Sequence, residues 1–521
     1  MSSDGSSSRY AEPTTTEMAV EVAGPRWLAE LTAAAPAAEG RAGEPAVDAP
    51  LRRFLQATVT SEALAAWLGP DFPRDKQALS RRLNRDIGVI DKLLNDQLNA
   101  VLHAPAFQRL EAAWRGLHYL AEQNESSAVK IRMLHASWRE LERDFERALE
   151  FDQSELFKKI YEQEFGTPGG EPYGMVIADY QVHPQPSPAH PHNDLQVVRG
   201  LAQVGAAAFC PVILNASPAM FGMDDFGGMQ YRIDHRKTFS QASYLSWRSF
   251  RDSEHARFIG LAMPRVLIRA PYLDDGTRVD GFCFHEEVAG PHAEKYLWAG
   301  AAFALGEVVI RAFSHSGWLA DIRGFRRNER RGGIVSGLPV QSMGTDKAGI
   351  ATKSSTDVII TEELERQLSE LGFIPLCQAK DTDYSVFYSS QSAQLPRSYD
   401  REAATANARL SAMLPYMLCA SRFAHYIKVL VRDKTGAYGE ASELERLLKD
   451  WIVKYVTADS DAPPEVKARY PLRAAEIQIG AVPGRPGSYT CTMHLSPHFE
   501  LDELHAVIRL QAELNVPRGL P

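Results

Sequence analysis

Apolar positions along the chain change period several times, and each change marks an element. Ile87, Ile90, Leu94, Leu98 and Val101 recur at helical spacing, and Pro105 interrupts the run. Leu110, Ala113, Trp114, Leu117 and Ala121 form a second helical stripe. A third helix is predicted across Trp138–Phe165, with Leu141, Phe145, Leu149 and Leu156 facing inward and Gly166 followed by Pro168-Gly169-Gly170 as the stop. From Tyr173 strands and helices alternate: Gly174–Asp179 is a short apolar strand, His183–Asn193 a Pro/His-rich loop, Leu195–Ala207 a helix and Pro211–Leu214 a second strand. This is α/β patterning. Further on, Asp357–Ile360 (strand), Glu362–Leu371 (helix) and Phe373–Cys377 (strand) predict a βαβ unit, with Thr361 as N-cap, Gly372 at the helix end and Leu364, Leu368 and Leu371 as the buried stripe.

After Leu395 the pattern becomes that of an α+β module. Ala404–Val431 is helical but holds Pro415, which predicts a kink or break. Ser442 and Glu445 have capping-box spacing ahead of Leu444, Leu448, Trp451, Ile452 and Tyr455. The period then falls to two. Glu476–Ile479 alternates, Pro483–Gly487 makes a turn, and Tyr489, Cys491, Met493 and Leu495 share one face of a return strand, which is a hairpin signal. The last strand alternates as well, with Ala506, Ile508, Leu510, Ala512 and Leu514 on one face and Arg509, Gln511 and Glu513 on the other. Such a strand either closes its own sheet or adds to a neighbour's, and periodicity by itself favours the first.

Composition narrows the function classes. The 521 residues suit two or three domains, with 45% apolar and 24% charged residues in ordinary globular balance. A net charge of −9 gives no global reason to bind nucleic acid or an anionic membrane. No run of eighteen apolar residues is present, so no membrane span is expected, and Met1–Ser8 lacks the pattern of a cleaved signal. Cys210, Cys283, Cys377, Cys419 and Cys491 are far apart and odd in number, which points to reduced, buried thiols of a cytoplasmic protein. The first fifty residues are rich in Ser, Thr, Ala, Pro and Gly and predict a mobile arm, interrupted by one apolar island, Trp27-Leu28-Ala29-Glu30-Leu31.

Several fragments resemble catalytic signatures without completing them. Lys434-Thr435-Gly436 matches one motif of serine β-lactamases, but no Ser-x-x-Lys accompanies it. His285-Glu286-Glu287 opens like a zincin helix, but the position for the second histidine is Ala289 and His292 is misplaced, so a solvated acidic turn is expected. His183, His190 and His192 form a possible metal cluster, set in a polyproline-like loop for which simple exposure is the competing expectation. No Walker A, Gly-x-Gly-x-x-Gly or Gly-x-Ser-x-Gly pattern occurs. The expectation is therefore no catalytic, cofactor or metal site. The sharpest charge feature is the basic run Arg323, Arg326, Arg327, Arg330 and Arg331, either a contact loop for phosphate or an acidic surface, or a solvated connection.

Read together, longer strings carry a resemblance. FQRLEAAWRGLHY (Phe107–Tyr119), EFDQSELFKKIYEQEFGTPGGEPYG (Glu150–Gly174), ASPAMFGM (Ala216–Met223), WRSFRDSE (Trp247–Glu254), GFIPL (Gly372–Leu376), LPYMLCASRFAHY (Leu414–Tyr426) and YPLR (Tyr470–Arg473) keep one order along the chain. They resemble the large sheath subunit of the type VI secretion system, the TssC or VipB family, and the C-terminal module also looks like that of phage and pyocin tail sheaths.

The resemblance implies a multi-domain tail-sheath fold of α/β and α+β character. Its parts are a helical N-terminal region, a central mixed sheet flanked by helices, and C-terminal helices with a β-hairpin and a terminal exchange strand. It implies three divisions: an arm at 1–75, a central domain at 76–394 and a C-terminal domain at 395–521. The implied partners are a small sheath subunit (TssB/VipA-like), copies of the chain itself in a helical tube, an inner-tube protein (Hcp-like), a baseplate and a Clp-type recycling ATPase. The implied location is the bacterial cytoplasm. It also makes Ala506, Val507, Ile508, Arg509, Leu510, Gln511 and Ala512 the expected intersubunit strand, against the expectation from periodicity. Trp27, Leu28 and Leu31 become candidates for the helix that the ATPase recognises. Arg326, Arg327, Arg330 and Arg331 sit where relatives have a shorter turn and remain a candidate contact loop. The alternatives are a sheath subunit of an extracellular contractile injection system and a hydrolase with dispersed catalytic groups.

Overall fold

A computed structural model describes residues 53–231, 233–274, 276, 281–288, 293–325, 330–340, 354–379, 382, 384–433, 441–459, 461–481, 488–498 and 508–515. Two compact units divide between Ile90 and Asp91. The island Trp27–Leu31, the motif Lys434–Gly436, and Ala289, His292, Arg326, Arg327, Ala506 and Val507 lie outside the described residues.

In the first unit, α1 (Thr60–Leu68) carries Trp67, whose ring lies 5.3 Å from Phe54 and whose Nε1 donates to Asp86 at 3.2 Å. The long α2 spans Lys76–Leu102, and the Asp75 carboxylate accepts the Ala78 N–H at its start. In the second unit, α3 (Pro105–Glu122) begins on proline, whose missing N–H costs nothing at that position.

The predicted third helix is broken. Its first piece, α4 (Trp138–Arg147), starts at a Ser137/Glu140 capping box. The chain then leaves the helix, and the Asp144 carboxylate accepts the N–H groups of Glu155 and Leu156 at 2.9 and 3.0 Å, so a side chain of the first piece caps the second. That second piece runs from Glu155 into a π-helical stretch ending at Gly166. Leu149, expected to face inward, falls in the break and is 91% exposed.

The central sheet is parallel, in the order β1 (Val176–Val182), β2 (Val212–Ala216), β3 (Ile259–Met263) and β7 (Ile374–Pro375). Helix α5 (Asp194–Ala208) packs on one face, where Val197, Val198, Leu201 and Val204 meet Val212, Leu214, Ile259 and Leu261. Ile213, Ala262 and Ile374 face the other way, toward α6 (Ala301–Ser316) and its Ala304, Leu305 and Val308. Burial on both faces is why β2 and β3 are largely apolar along their length, whereas the edge strand β1 carries Asp179 and Gln181 on its exposed positions. Helix α3 joins the α6 layer through Ala112, Tyr119 and Leu120. At Gly116 a Cβ would stand 2.5 Å from the Phe303 ring, so glycine sets how closely the two helices approach.

The antiparallel strands form separate small sheets, β4 (Val266–Arg269) with β5 (Leu297–Ala299), and β6 (Ile334–Val335) with β9 (Ser385–Val386) and β8 (Cys377–Gln378), so among the described strands the central sheet is parallel and not mixed as expected. The predicted βαβ unit is corrected here. Asp357–Ile360 forms no strand; the neighbouring Thr356 makes an isolated bridge to Val266, and the Asp357 carboxylate pairs with Arg265 at 2.7 Å. Val358 and Ile360 are apolar because they enter the core, not because they form a ladder. Helix α7 (Glu362–Glu370) does start at a Thr361 cap, and Gly372 takes φ 89°, but β7 pairs with β3.

The C-terminal part breaks near its proline. Helix α8 (Glu402–Ser411) stops, and α9 (Leu414–Asp433) restarts with Pro415 in its first turn. Phe423 on α9 stacks on Trp318 at 4.3 Å, and Tyr455 meets both rings. Helix α10 (Ala441–Ile452) contributes Leu444, Leu448 and Ile452 to the same core. Its Glu445 pairs with Lys449 and accepts the Ile479 N–H. The hairpin forms as β10 (Leu472–Ala481) against β11 (Ser488–Pro497), with Ile477, Cys491, Met493 and Leu495 buried. Four of the five cysteines are buried, while Cys283 is half-buried.

Candidate functional site

Two helices turn their apolar sides away from the protein. On α2, the docked side is polar. Asn99 is buried and donates to His285 O at 3.2 Å while its Oδ1 accepts the Glu287 N–H at 2.8 Å. Asn95 Oδ1 accepts the His285 N–H at 2.9 Å. These asparagines satisfy the backbone of segment 281–288, and the leucine stripe lies roughly a quarter to a third of a turn away. Leu93, Leu94 and Leu98 are exposed.

Helix α3 is inverted in the same way. Ala112, Gly116 and Tyr119 face the core, and Leu110 and Trp114, on the opposite side, are each 56% exposed. An apolar stripe normally seeks a core. Here Ala112, Gly116, Tyr119 and Leu120 form the internal contact, with Gly116 against the Phe303 ring of α6, while Leu110 and Trp114 remain outside. The sequence pattern gave the stripes and could not say which side of each helix the protein would use.

Beneath this surface lies a buried ionic network that the sequence reading missed. Glu286, expected in a solvated turn, is 1% exposed. Arg269 grips it with two parallel bonds, Nη1–Oε2 at 2.6 Å and Nη2–Oε1 at 2.9 Å, and reaches Glu111 Oε1 at 2.9 Å. The Tyr272 N–H adds a bond to Glu286 at 2.9 Å. Burial alone lifts the Glu286 carboxyl, but the bonds from Arg269 and Tyr272 outweigh it and hold the group below the usual glutamate range. The available signal was Arg269 itself, a charge inside a strand that is otherwise buried on both sides.

The second feature is the terminal strand β12 (Ile508–Asn515), which lies antiparallel on β11 with Leu495 opposite Ile508 and Ser488 opposite Asn515. The sheet order is β10-β11-β12, so β12 is an edge.

Of the basic run, Arg330 donates to Ser336 Oγ and Arg331 pairs with Glu465 at 3.3 Å. Both line a cavity of about 260 Å³ with Arg311, His315, Asp321 and Arg469. The three loop histidines are each engaged by a carboxylate: His183 and His190 by Asp194, and His192 by Glu142. No described helix is long and apolar enough to cross a membrane.

Two family models match the chain: "EvpB/VC_A0108, tail sheath N-terminal domain" (VipB) over residues 84–394, and "EvpB/VC_A0108, tail sheath gpW/gp25-like domain" over residues 403–514. The chain is 41% identical over 432 residues to the type VI secretion system sheath protein TssC1 of Pseudomonas aeruginosa, a match covering 82% of this chain and 85% of that protein. A sheath tail protein of Desulfitobacterium hafniense, solved by crystallography, overlaps 61% of this chain and 60% of its own at 10% identity and a TM-score of 0.27, too loose a likeness to bear on the fold. On the two family matches and the long alignment, the chain belongs to the VipB tail-sheath family, that of the large sheath subunit of the type VI secretion system.

Proposed function

We propose that this chain is a force-transmitting structural subunit that pairs with a small sheath subunit (TssB/VipA-like) and stacks with its own copies into a contractile tube. The observation that carries the reading is the inverted packing of α2 and α3: in a family of assembling subunits, apolar helix faces left outward have the chemistry of an obligate interface. The tube encloses an inner tube of Hcp-like rings, grows from a baseplate in the cytoplasm and is recycled by a Clp-type ATPase. The work is mechanical, and the chain carries no catalytic step. We assign residues 1–75 to an arm, 76–394 to the central domain and 395–521 to the module that holds the intersubunit strand. Within the arm, Trp27, Leu28 and Leu31 are the proposed ATPase contact.

The small subunit is assigned to the outward sides of α2 and α3, which carry Leu94 and Leu98, and Leu110 and Trp114. Trp114→Asp is expected to lower copurification of the co-expressed small subunit by about 30-fold or more, the size of a hot-spot loss of about 2 kcal/mol, with the melting temperature of the chain unchanged. Copurification at the wild-type level would remove this face from the interface.

A further inference from the structure

The connection between β1 and α5 gathers donor atoms from three residues. His183 Nδ1 lies 3.1 Å from Asp194 Oδ2, and His190 Nε2 lies 2.7 Å from Asp194 Oδ1. The two imidazoles stack with centroids 3.9 Å apart, and one ligand atom from each of the three residues falls within 4.8 Å of the others. We propose that His183, His190 and Asp194 form a zinc site that fastens the Pro/His loop to the start of α5.

The surroundings of the cluster are those of a metal site. The Asp194 side chain is fully buried, while the His183 and His190 side chains are 21% and 23% exposed, so the cluster opens to solvent on the imidazole side. Trp138 Nε1 donates to Asp194 Oδ1 at 2.6 Å and the His183 N–H donates to Oδ2 at 2.8 Å. These two donors fix the carboxylate from behind, as outer contacts orient a metal ligand. Reciprocal backbone bonds between Ser187 and His190 hold the loop in place. His192, whose ring is 5.3 Å from that of His190, pairs through Nδ1 with Glu142 at 2.6 Å and ties the same loop to α4.

Two imidazoles and one carboxylate make a nitrogen–oxygen donor set suited to Zn²⁺, whose fourth position is filled by water. The soft thiolates that favour Cu(I) are missing from the set, and its imidazoles disfavour Mg²⁺ and Ca²⁺. The competing description is a metal-free clamp, in which one carboxylate accepts bonds from both rings, the indole and the amide.

The full chain, free of any affinity tag and stripped of metal, is dialysed against zinc chloride, its bound zinc counted by atomic emission and its affinity measured by calorimetry. One zinc per chain is expected, with affinity falling by at least about 10-fold in His183→Gln and in His190→Gln. His118→Gln, which alters an exposed histidine on α3, is expected to bind as the wild type does. Cobalt in place of zinc is expected to give the intense visible bands of a four-coordinate site in the wild-type chain, a readout that does not depend on any variant folding. A stripped chain with intact circular dichroism that takes up neither metal would overturn the site. Wild-type uptake by both glutamine variants would do the same.

Discussion

Proline at Ile508 or Leu510 is expected to abolish tube formation while leaving the rest of the chain folded. Both positions lie within β12, opposite Leu495 and Met493 of β11. Proline removes an N–H from the strand, either one directed at β11 or one directed at the open edge where a further strand would add, and it fixes φ away from the extended value. A single lost bond would be modest, but a helical lattice repeats the defect at every subunit. We propose that this strand is the intersubunit connector. The ten residues 498–507 separate β11 from β12, far more than a tight hairpin needs, and a chain of that length reaches up to about 35 Å. Delivery of the same strand to a neighbour is thus within reach of the backbone. The readout is negative-stain microscopy of the co-expressed subunits, with circular dichroism as the folding control. Normal tubes from both proline variants would remove β12 from this role.

Glu286→Ala is expected to give the largest loss of stability of any single change around the proposed interface. It leaves Arg269 buried with two of its three bonds to carboxylates gone, and breaking one side of a buried pair costs about 3–5 kcal/mol. Asn99 would still hold the 281–288 segment, so the defect is expected as a lower denaturation midpoint and not as loss of the fold. The pH dependence has a definite sign. The carboxyl is held below its ordinary range in the folded chain, so its contribution is present above the unfolded pKa and is lost as pH falls through the folded value. The stability gap between wild type and Glu286→Ala is therefore expected to narrow on acidification. Urea titrations at several pH values measure it, and a constant gap would contradict the assignment.

Much of the fold was legible because local and tertiary preferences agree. The β1-α5-β2 alternation, the break at Pro415 and the β10-β11 hairpin all follow from periodicity and proline placement. The failures share one cause. Asp144 in one helical piece caps the next, Val358 and Ile360 enter the core without a ladder, and Glu286 is buried because it pairs with Arg269. In each case a residue distant in sequence decides the outcome. The outward faces of α2 and α3 belong to the same class: an apolar stripe shows that something must cover it, and only packing shows that the described residues of the chain do not.

The distances among His183, His190 and Asp194 also arise from folding. The histidines were visible in the sequence, but the carboxylate that unites them sits at the start of α5 and was not grouped with them. Similarly, Arg330 and Arg331, expected in a contact loop or a solvated connection, are engaged within the chain by Ser336 and Glu465.

Assembly with the small subunit is the property that defines the proposed role. Co-expression of this chain with its small sheath subunit, followed by purification and negative-stain electron microscopy, is predicted to yield long tubes that contain both subunits. A chain that purifies as a monomer, without the small subunit and without tubes, would contradict it.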